Sequence, residues 1–227
     1  MRDTGNMCGR FAASLDYRSL AARFGTAMEG GLPSPSWNIS PSQRIAVIAQ
    51  DEQGGRHLTA ATWGLVPTAS PTRNLGYPTH NARIESALSK QTFAAAARAR
   101  RVVIPATGYY EWSKDHQPYY FRKNSQEALL IAGLCSWWRE DEDSPWELTA
   151  TILTTEAVGR AAEVHHRMPV LIPDDLAEEW MDPSSDAEEV FARVAEEGPT
   201  LSRRLLSHPV RPLTGRDDAG LTDAISI

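Results

Sequence analysis

Cysteine is scarce in this chain. Cys8 and Cys135 are the only two in 227 residues, which is no basis for a disulfide framework. Long hydrophobic runs are also missing: the best, ALLIAGL, is far too short to span a membrane. The first residues contain no apolar core of a secretory signal. There is no HExxH pattern and no pair of cysteines at metal-ligand spacing, and no internal repeat. These absences set the expectation of a cytoplasmic protein with no cofactor, no metal and no membrane partner. Cys135, inside LLIAGLCSWW, is expected to pack as a small buried hydrophobe.

Apolar content of 41% and charged content of 23% are those of a globular chain, long enough for one domain with a substantial core. Net charge is −6, which speaks against indiscriminate binding of polyanions. The charge is unevenly spread. Through Cys135 there are 15 basic and 9 acidic residues; the remainder has 8 and 20. A cationic groove in the first part is compatible with that asymmetry.

SLDYRSLAARF (14–24) has helical spacing, with Ser14 as cap and Gly25 as stop. Residues 30–43 are too rich in Gly, Pro and Ser for regular structure. RIAVIAQ and HLTAATW, joined by DEQGG, predict a β-hairpin. A loop is expected through residue 80 and a helix over 91–101, with VVIPATG turning the chain into the strand YYEW. YYF and two longer strands, LLIAGLCSWW and ELTATILTT, follow. Short helices are expected at 156–162, 174–181 and 186–196. Strands with irregularly interspersed helices predict an α+β fold, a single domain with a mainly antiparallel sheet.

Four stretches have a chemical character. Cys8-Gly9-Arg10 lies directly behind Met7. His80-Asn81-Ala82-Arg83-Ile84-Glu85 offers an amide and a guanidinium after a long loop. In Gly108-Tyr109-Tyr110-Glu111-Trp112, strand alternation puts Tyr109 and Glu111 on one face, and a carboxyl among aromatics should have a raised pKa. His165-His166-Arg167-Met168-Pro169 brings a proton-transfer group and another cation, although adjacent histidines in extended chain point opposite ways. Each stretch alone also fits a purely structural role; their co-occurrence is the signal.

Taken in order, MCGRF, WNISP, WGLVP, NARIES, GYYEW and HHRMPVLI resemble the signature of the SRAP family of abasic-site processing proteins, from Met7 to about Ile172. The resemblance implies a β-barrel-like core and a groove for single-stranded DNA. It also implies covalent capture of abasic sites as a thiazolidine between the N-terminal cysteine and the sugar aldehyde. Cys8 corresponds to the nucleophile, and Asn81, Glu111 and His165 to catalytic positions. Arg10, Asn38, Arg83 and Arg167 correspond to positions lining the DNA groove, with Pro41 in the same loop as Asn38. The implied partner is abasic single-stranded DNA, met by a monomer that is nucleoid-associated when bound.

The chemistry asks for a free amine on Cys8, so MRDTGN (1–6) is read as an extension ahead of a domain at 7–227. Either translation starts at Met7, which is favoured, or the segment is removed by proteolysis. WGLVPTAS puts Thr68, Ala69 and Ser70 where many relatives have tryptophan, which bears on the preference for single strands over junctions. The closing segment HPVRPLTGRDDAGLTDAISI matches the family poorly and is assigned no function. A thiol peptidase using Cys8 with His165, and a noncatalytic single-strand binder, remain as alternatives.

Overall fold

The computed structural model describes residues 8–226; the expected extension at 1–6 and the Met7 start lie outside them. The first half of the chain forms β1 (Arg10–Ala13), α1 (Tyr17–Phe24), β2 (Ala27–Met28), β3 (Ser36–Ile39), β4 (Arg44–Gln50), β5 (Arg56–Trp63), β6 (Asn81–Arg83), α2 (Ile84–Ala87), α3 (Gln91–Ala99) and β7 (Arg101–Ala106). It continues with β8 (Gly108–Trp112), β9 (Pro118–Arg122), β10 (Leu129–Trp138), β11 (Glu147–Glu156), α4 (Arg160–Val164), β12 (Arg167–Pro169), α5 (Ala177–Met181), α6 (Ala187–Ser202) and β13 (Leu206–Pro209). None of these helices is long and apolar enough to cross a membrane.

Local chemistry sets several boundaries. The Asp16 carboxylate accepts from Arg18 N and opens α1, and Gly25 closes it in the left-handed conformation. Between β4 and β5, Asp51 Oδ1 accepts from the backbone of Gln53 and Gly55, which tightens the hairpin turn.

β5, β4, β7, β10 and β11 pair in a ring, closed by a parallel contact of Thr149 and Ala150 with Thr62 and Trp63. Side-chain alternation gives this barrel two apolar surfaces. Ile45, Val47, Val102, Ile104, Ile131 and Ala150 fill the inside. Ile48, Leu58, Val103, Leu134 and Leu153 face outward, where Phe93, Trp180 and Phe191 from the helices cover them. A second, antiparallel sheet, β13-β9-β8-β1-β3, plugs one end of the barrel. Its Phe11 meets Trp63 edge-on at 5.2 Å, and Tyr109 stacks on Phe121 at 4.9 Å. On the sheet's other face Gly108 leaves room for Tyr120, because a Cβ there would lie 2.4 Å from the Tyr120 ring and 2.5 Å from Phe121 O.

The expected α+β, barrel-like, mainly antiparallel single domain is thus what the chain forms. Several boundaries differ from expectation. The helix expected over 91–101 ends at Ala99, and Arg101–Ala106 is a fully buried barrel strand; Pro105 within it had read as a turn signal. Residues 30–43 include β3. Strand β11 runs on to Glu156, and the next helix begins only at Arg160, after Gly159 at φ 57°. The last long helix continues past Gly198-Pro199 to Ser202. Gly198 serves close packing, since a Cβ would sit 2.7 Å from Leu171 O.

Candidate functional site

The second sheet carries the centre of the site. Register pairs Arg10 with Tyr110 and Phe11 with Tyr109, so the residues just before β1 run alongside the end of β8. The backbone N–H of Cys8 donates to Glu111 Oε1 at 2.9 Å. Both residues are buried, Cys8 at 3% and Glu111 at 1% exposure. Cys8 has φ 41°, a left-handed value that is costly for a residue with a side chain.

Asn81 reaches the same point from the barrel. Strand β6 pairs in parallel with β11, Asn81 opposite Ile152, and Asn81 Nδ2 donates to Cys8 O at 3.4 Å. His165, just past α4, places Nδ1 at 3.7 Å from Glu111 Oε2. That nitrogen lies 3.2 Å from Arg167 N and 3.1 Å from Arg167 O. When it accepts from Arg167 N–H, the ring proton sits on Nε2. Cys8, Asn81, Glu111 and His165, far apart in sequence, therefore meet at one place.

Electrostatics there follow from burial. Loss of water pushes the Glu111 carboxyl up to about 8, against the opposing pull of its Cys8 hydrogen bonds. Burial also pushes the Cys8 thiol well up, with the Glu111 charge adding to the rise and Arg167 opposing it. The resting site therefore holds a thiol rather than a thiolate. The Tyr109 hydroxyl, on the Glu111 face of β8, is buried without a hydrogen-bond partner among the described residues. Burial, then the neighbouring Cys8 and Glu111, keep it protonated well beyond the usual tyrosine range.

The four basic and polar candidates lie in three settings. Arg10 donates to Asn38 Oδ1 at 2.5 Å, and Asn38 Nδ2 donates to Arg216 O at 2.9 Å. Arg83 is exposed two residues beyond Asn81. Arg167 is buried and bidentate on Glu85, at 2.9 and 3.0 Å, with a further bond to Thr154 O at 2.7 Å. Burial alone would raise Glu85; the Arg167 contacts outweigh it and hold the carboxyl below its usual range. Sequence reasoning named no role for Glu85 or Tyr109, although both lie inside motifs it quoted. It also missed the C-terminal strap, where Asp217 Oδ1 accepts from Trp37 N at 2.6 Å beside Asn38. Nothing in that strap's sequence marks it as part of a site. Among the described residues, no three His, Cys, Asp or Glu side chains gather as metal ligands would.

Comparison with known proteins gives a consistent picture. The model of the SOS response associated peptidase (SRAP) family matches residues 7–216. The abasic site processing protein YoqW of Bacillus subtilis (strain 168) is 32% identical over 185 residues, covering 79% of this chain and 82% of its own. The abasic site processing protein YedK of Escherichia coli (strain K12) is 25% identical over 222 residues, covering 92% and 94%. A crystal structure of a Bacteroides thetaiotaomicron protein superposes with TM-score 0.84 over 96% of this chain and all of that one, at 20% identity, and so shares the fold.

Proposed function

The chain belongs to the SOS response associated peptidase family, and from that membership we propose that it processes abasic sites in single-stranded DNA by covalent capture on Cys8. The observation that carries this reading is the 2.9 Å contact between Cys8 N and a buried carboxyl held near pH 8. Relatives named abasic site processing proteins support the substrate class.

The reaction needs Cys8 as the first residue, so that its nitrogen is an amine with a pKa of roughly 8. The neutral amine adds to the open-chain sugar aldehyde, forming a C–N bond and a carbinolamine. Protonated Glu111 gives its proton to the carbinolamine hydroxyl, which leaves as water and yields an iminium. The Cys8 sulfur then attacks the same carbon while its proton passes to the Glu111 carboxylate. One water is lost, the acid is regenerated and a five-membered thiazolidine is closed. Amine and thiol sit on one residue, so the second step is intramolecular. Burial keeps Glu111 protonated until the step that uses it. In ring opening the anomeric hydroxyl gives up its proton to water and the ring oxygen takes one from water as the ring C–O bond breaks, and the Nε2–H of His165 hydrogen-bonds that ring oxygen and holds the sugar in place. Asn81 fixes Cys8 through its carbonyl.

Arg10 and Arg83, two residues beyond Cys8 and Asn81, take the flanking phosphates, with Asn38 orienting Arg10. The charge of Arg167 reaches Cys8 and favours the phosphodiester there, while its Glu85 pair fixes the segment carrying His165. Non-covalent binding accordingly weakens as salt rises.

Removal of the residues ahead of Cys8 has its own support. As an internal residue Cys8 bears a left-handed φ, at a cost of about 1–3 kcal/mol. As a chain end it has no φ to strain. That fits a mature chain beginning at Cys8; a peptidase activity directed at the chain's own N-terminal segment is the second reading.

A Met7-start protein incubated with an abasic single-stranded oligonucleotide and then denatured should give a shifted band on a gel. Cys8→Ala should abolish it, and Cys8→Ser should leave only a hydrolysable adduct. A band that survives in Cys8→Ala, or none from protein with a verified free Cys8 amine, refutes the capture reading. A chain beginning at Met1 tests the second reading: it predicts release of an N-terminal fragment, and a stable intact chain rejects it.

A further inference from the structure

The barrel has a second mouth, at the end away from Cys8. β11 leads from Leu148 at this mouth to Thr154 beside Arg167, a strand length of about 20 Å. A cavity of about 490 Å3 opens here, with Ala49, Arg100, Cys135, Trp137 and Leu148 among its walls.

Strand register explains why it is open. Pairing of β10 with β7 stops at Leu134 opposite Arg101, followed by one bond from Cys135 N to Arg100 O at 2.9 Å. Pairing of β10 with β11 continues to Trp138 opposite Glu147. The β10–β11 hairpin therefore projects past the barrel rim. Cys135 and Ala150 face the interior, so alternation puts Trp137 and Leu148, then Arg139 and Trp146, on that same face. The Arg139 guanidinium lies 4.7 Å from the Trp146 ring, as this pairing requires. The barrel's inner apolar row thus runs on beyond its walls, leaving Trp137 47% and Trp146 50% exposed. Two tryptophans in one uncovered row form a patch rather than a scatter.

The surroundings specify what covers it. On the opposing wall Glu29 and Asp51 clasp His57 at 3.1 and 3.0 Å, and Glu52 is exposed. The hairpin tip carries Glu140, Asp141, Glu142 and Asp143, all exposed. Such a rim repels nucleic acid and attracts cations. Trp137 presents its backbone to the side that β7 has left, where an extended chain can lie.

We propose that this mouth docks a short extended segment of a partner protein in which an apolar side chain adjoins lysine or arginine. The apolar anchor packs on Trp137 and Leu148, the main chain lies along the backbone edge of Trp137, and the cation meets Glu52 and the Glu140–Asp143 run. The site is separate from the Cys8 chemistry.

The test uses the Met7-start protein labelled with nitrogen-15, with the Trp137 indole N–H as reporter. The probes are a short alternating leucine–lysine peptide, its leucine–glutamate counterpart and oligothymidylate. The lysine peptide should shift the reporter saturably and lose its effect at high salt. The double variant Glu140→Lys, Glu142→Lys should weaken binding about tenfold, as should Trp137→Ser followed through the Trp146 indole. Capture of abasic DNA by both variants should be unchanged. No shift with the lysine peptide, or an equal shift with either acidic probe, overturns the proposal. So does concentration-dependent self-association that Trp137→Ser removes, since the occupant would then be a second copy.

Discussion

Glu111→Gln separates the two consequences of one buried carboxyl. Burial moves Glu111 from 4.5 to about 8, so forcing it to ionise in the folded state costs at most about 5 kcal/mol. The sign follows from proton counting. Below pH 4.5 folded and unfolded chains both keep this proton. Between 4.5 and 8 the unfolded chain releases it while the folded chain holds it, so stability falls as pH rises; above 8 both have lost it and the dependence ends. Gln has no proton to release, yet its side-chain oxygen can still accept from Cys8 N. The stability of wild type relative to Glu111→Gln should therefore drop by up to about 4 kcal/mol from pH 5 to pH 8. Urea unfolding of both proteins at several pH values measures it, and the titrating groups that Glu111 does not influence cancel in the difference. Crosslinking to abasic DNA should slow by about 10²–10⁴, the usual contribution of a positioned acid. A stability difference flat across that pH window would refute the burial argument, whatever happened to the rate.

Other substitutions probe neighbouring parts. Tyr109→Phe keeps the stack on Phe121 and removes a buried hydroxyl without a partner; thermal unfolding should show stability unchanged or raised by about 1 kcal/mol. Gly108→Ala drives a Cβ into the Tyr120 ring and Phe121 O and should cost about 1–3 kcal/mol by urea titration. Glu85→Gln leaves the buried Arg167 guanidinium short of its carboxylate. It should destabilise by about 1–3 kcal/mol and slow crosslinking more than it weakens DNA binding, as single-turnover gels and filter binding would separate.

The sequence made some of this architecture legible and hid the rest for identifiable reasons. The β4–β5 hairpin was readable because Asp51 and two glycines mark its turn between apolar runs. The opposite faces of Tyr110 and Glu111 followed from alternation alone: Tyr110 packs against Tyr120 on the back of the second sheet while Glu111 turns to Cys8. Strand β7 was missed because Pro105 lies within it and both its faces are buried, so no alternation appears. At the site, motifs indicated Cys8, Asn81, Glu111 and His165, and the fold brings these four together. Motifs gave no sign that Arg167 is turned inward onto Glu85, since a guanidinium reads the same whether it awaits a phosphate or holds a carboxylate. The Asp217 contact with Trp37 was hidden by the chain length between them.

The parallel seam that joins Thr62–Trp63 to Thr149–Ala150 also sets an order of events. A growing polypeptide cannot complete its cylinder until the second of those segments has been made, and such distant pairings form slowly. Cys8 precedes Glu111 in the chain, and the strand supporting Asn81 comes later still. Until β8 and β11 have been made, Cys8 is without the carboxyl and the amide that it meets in the finished fold.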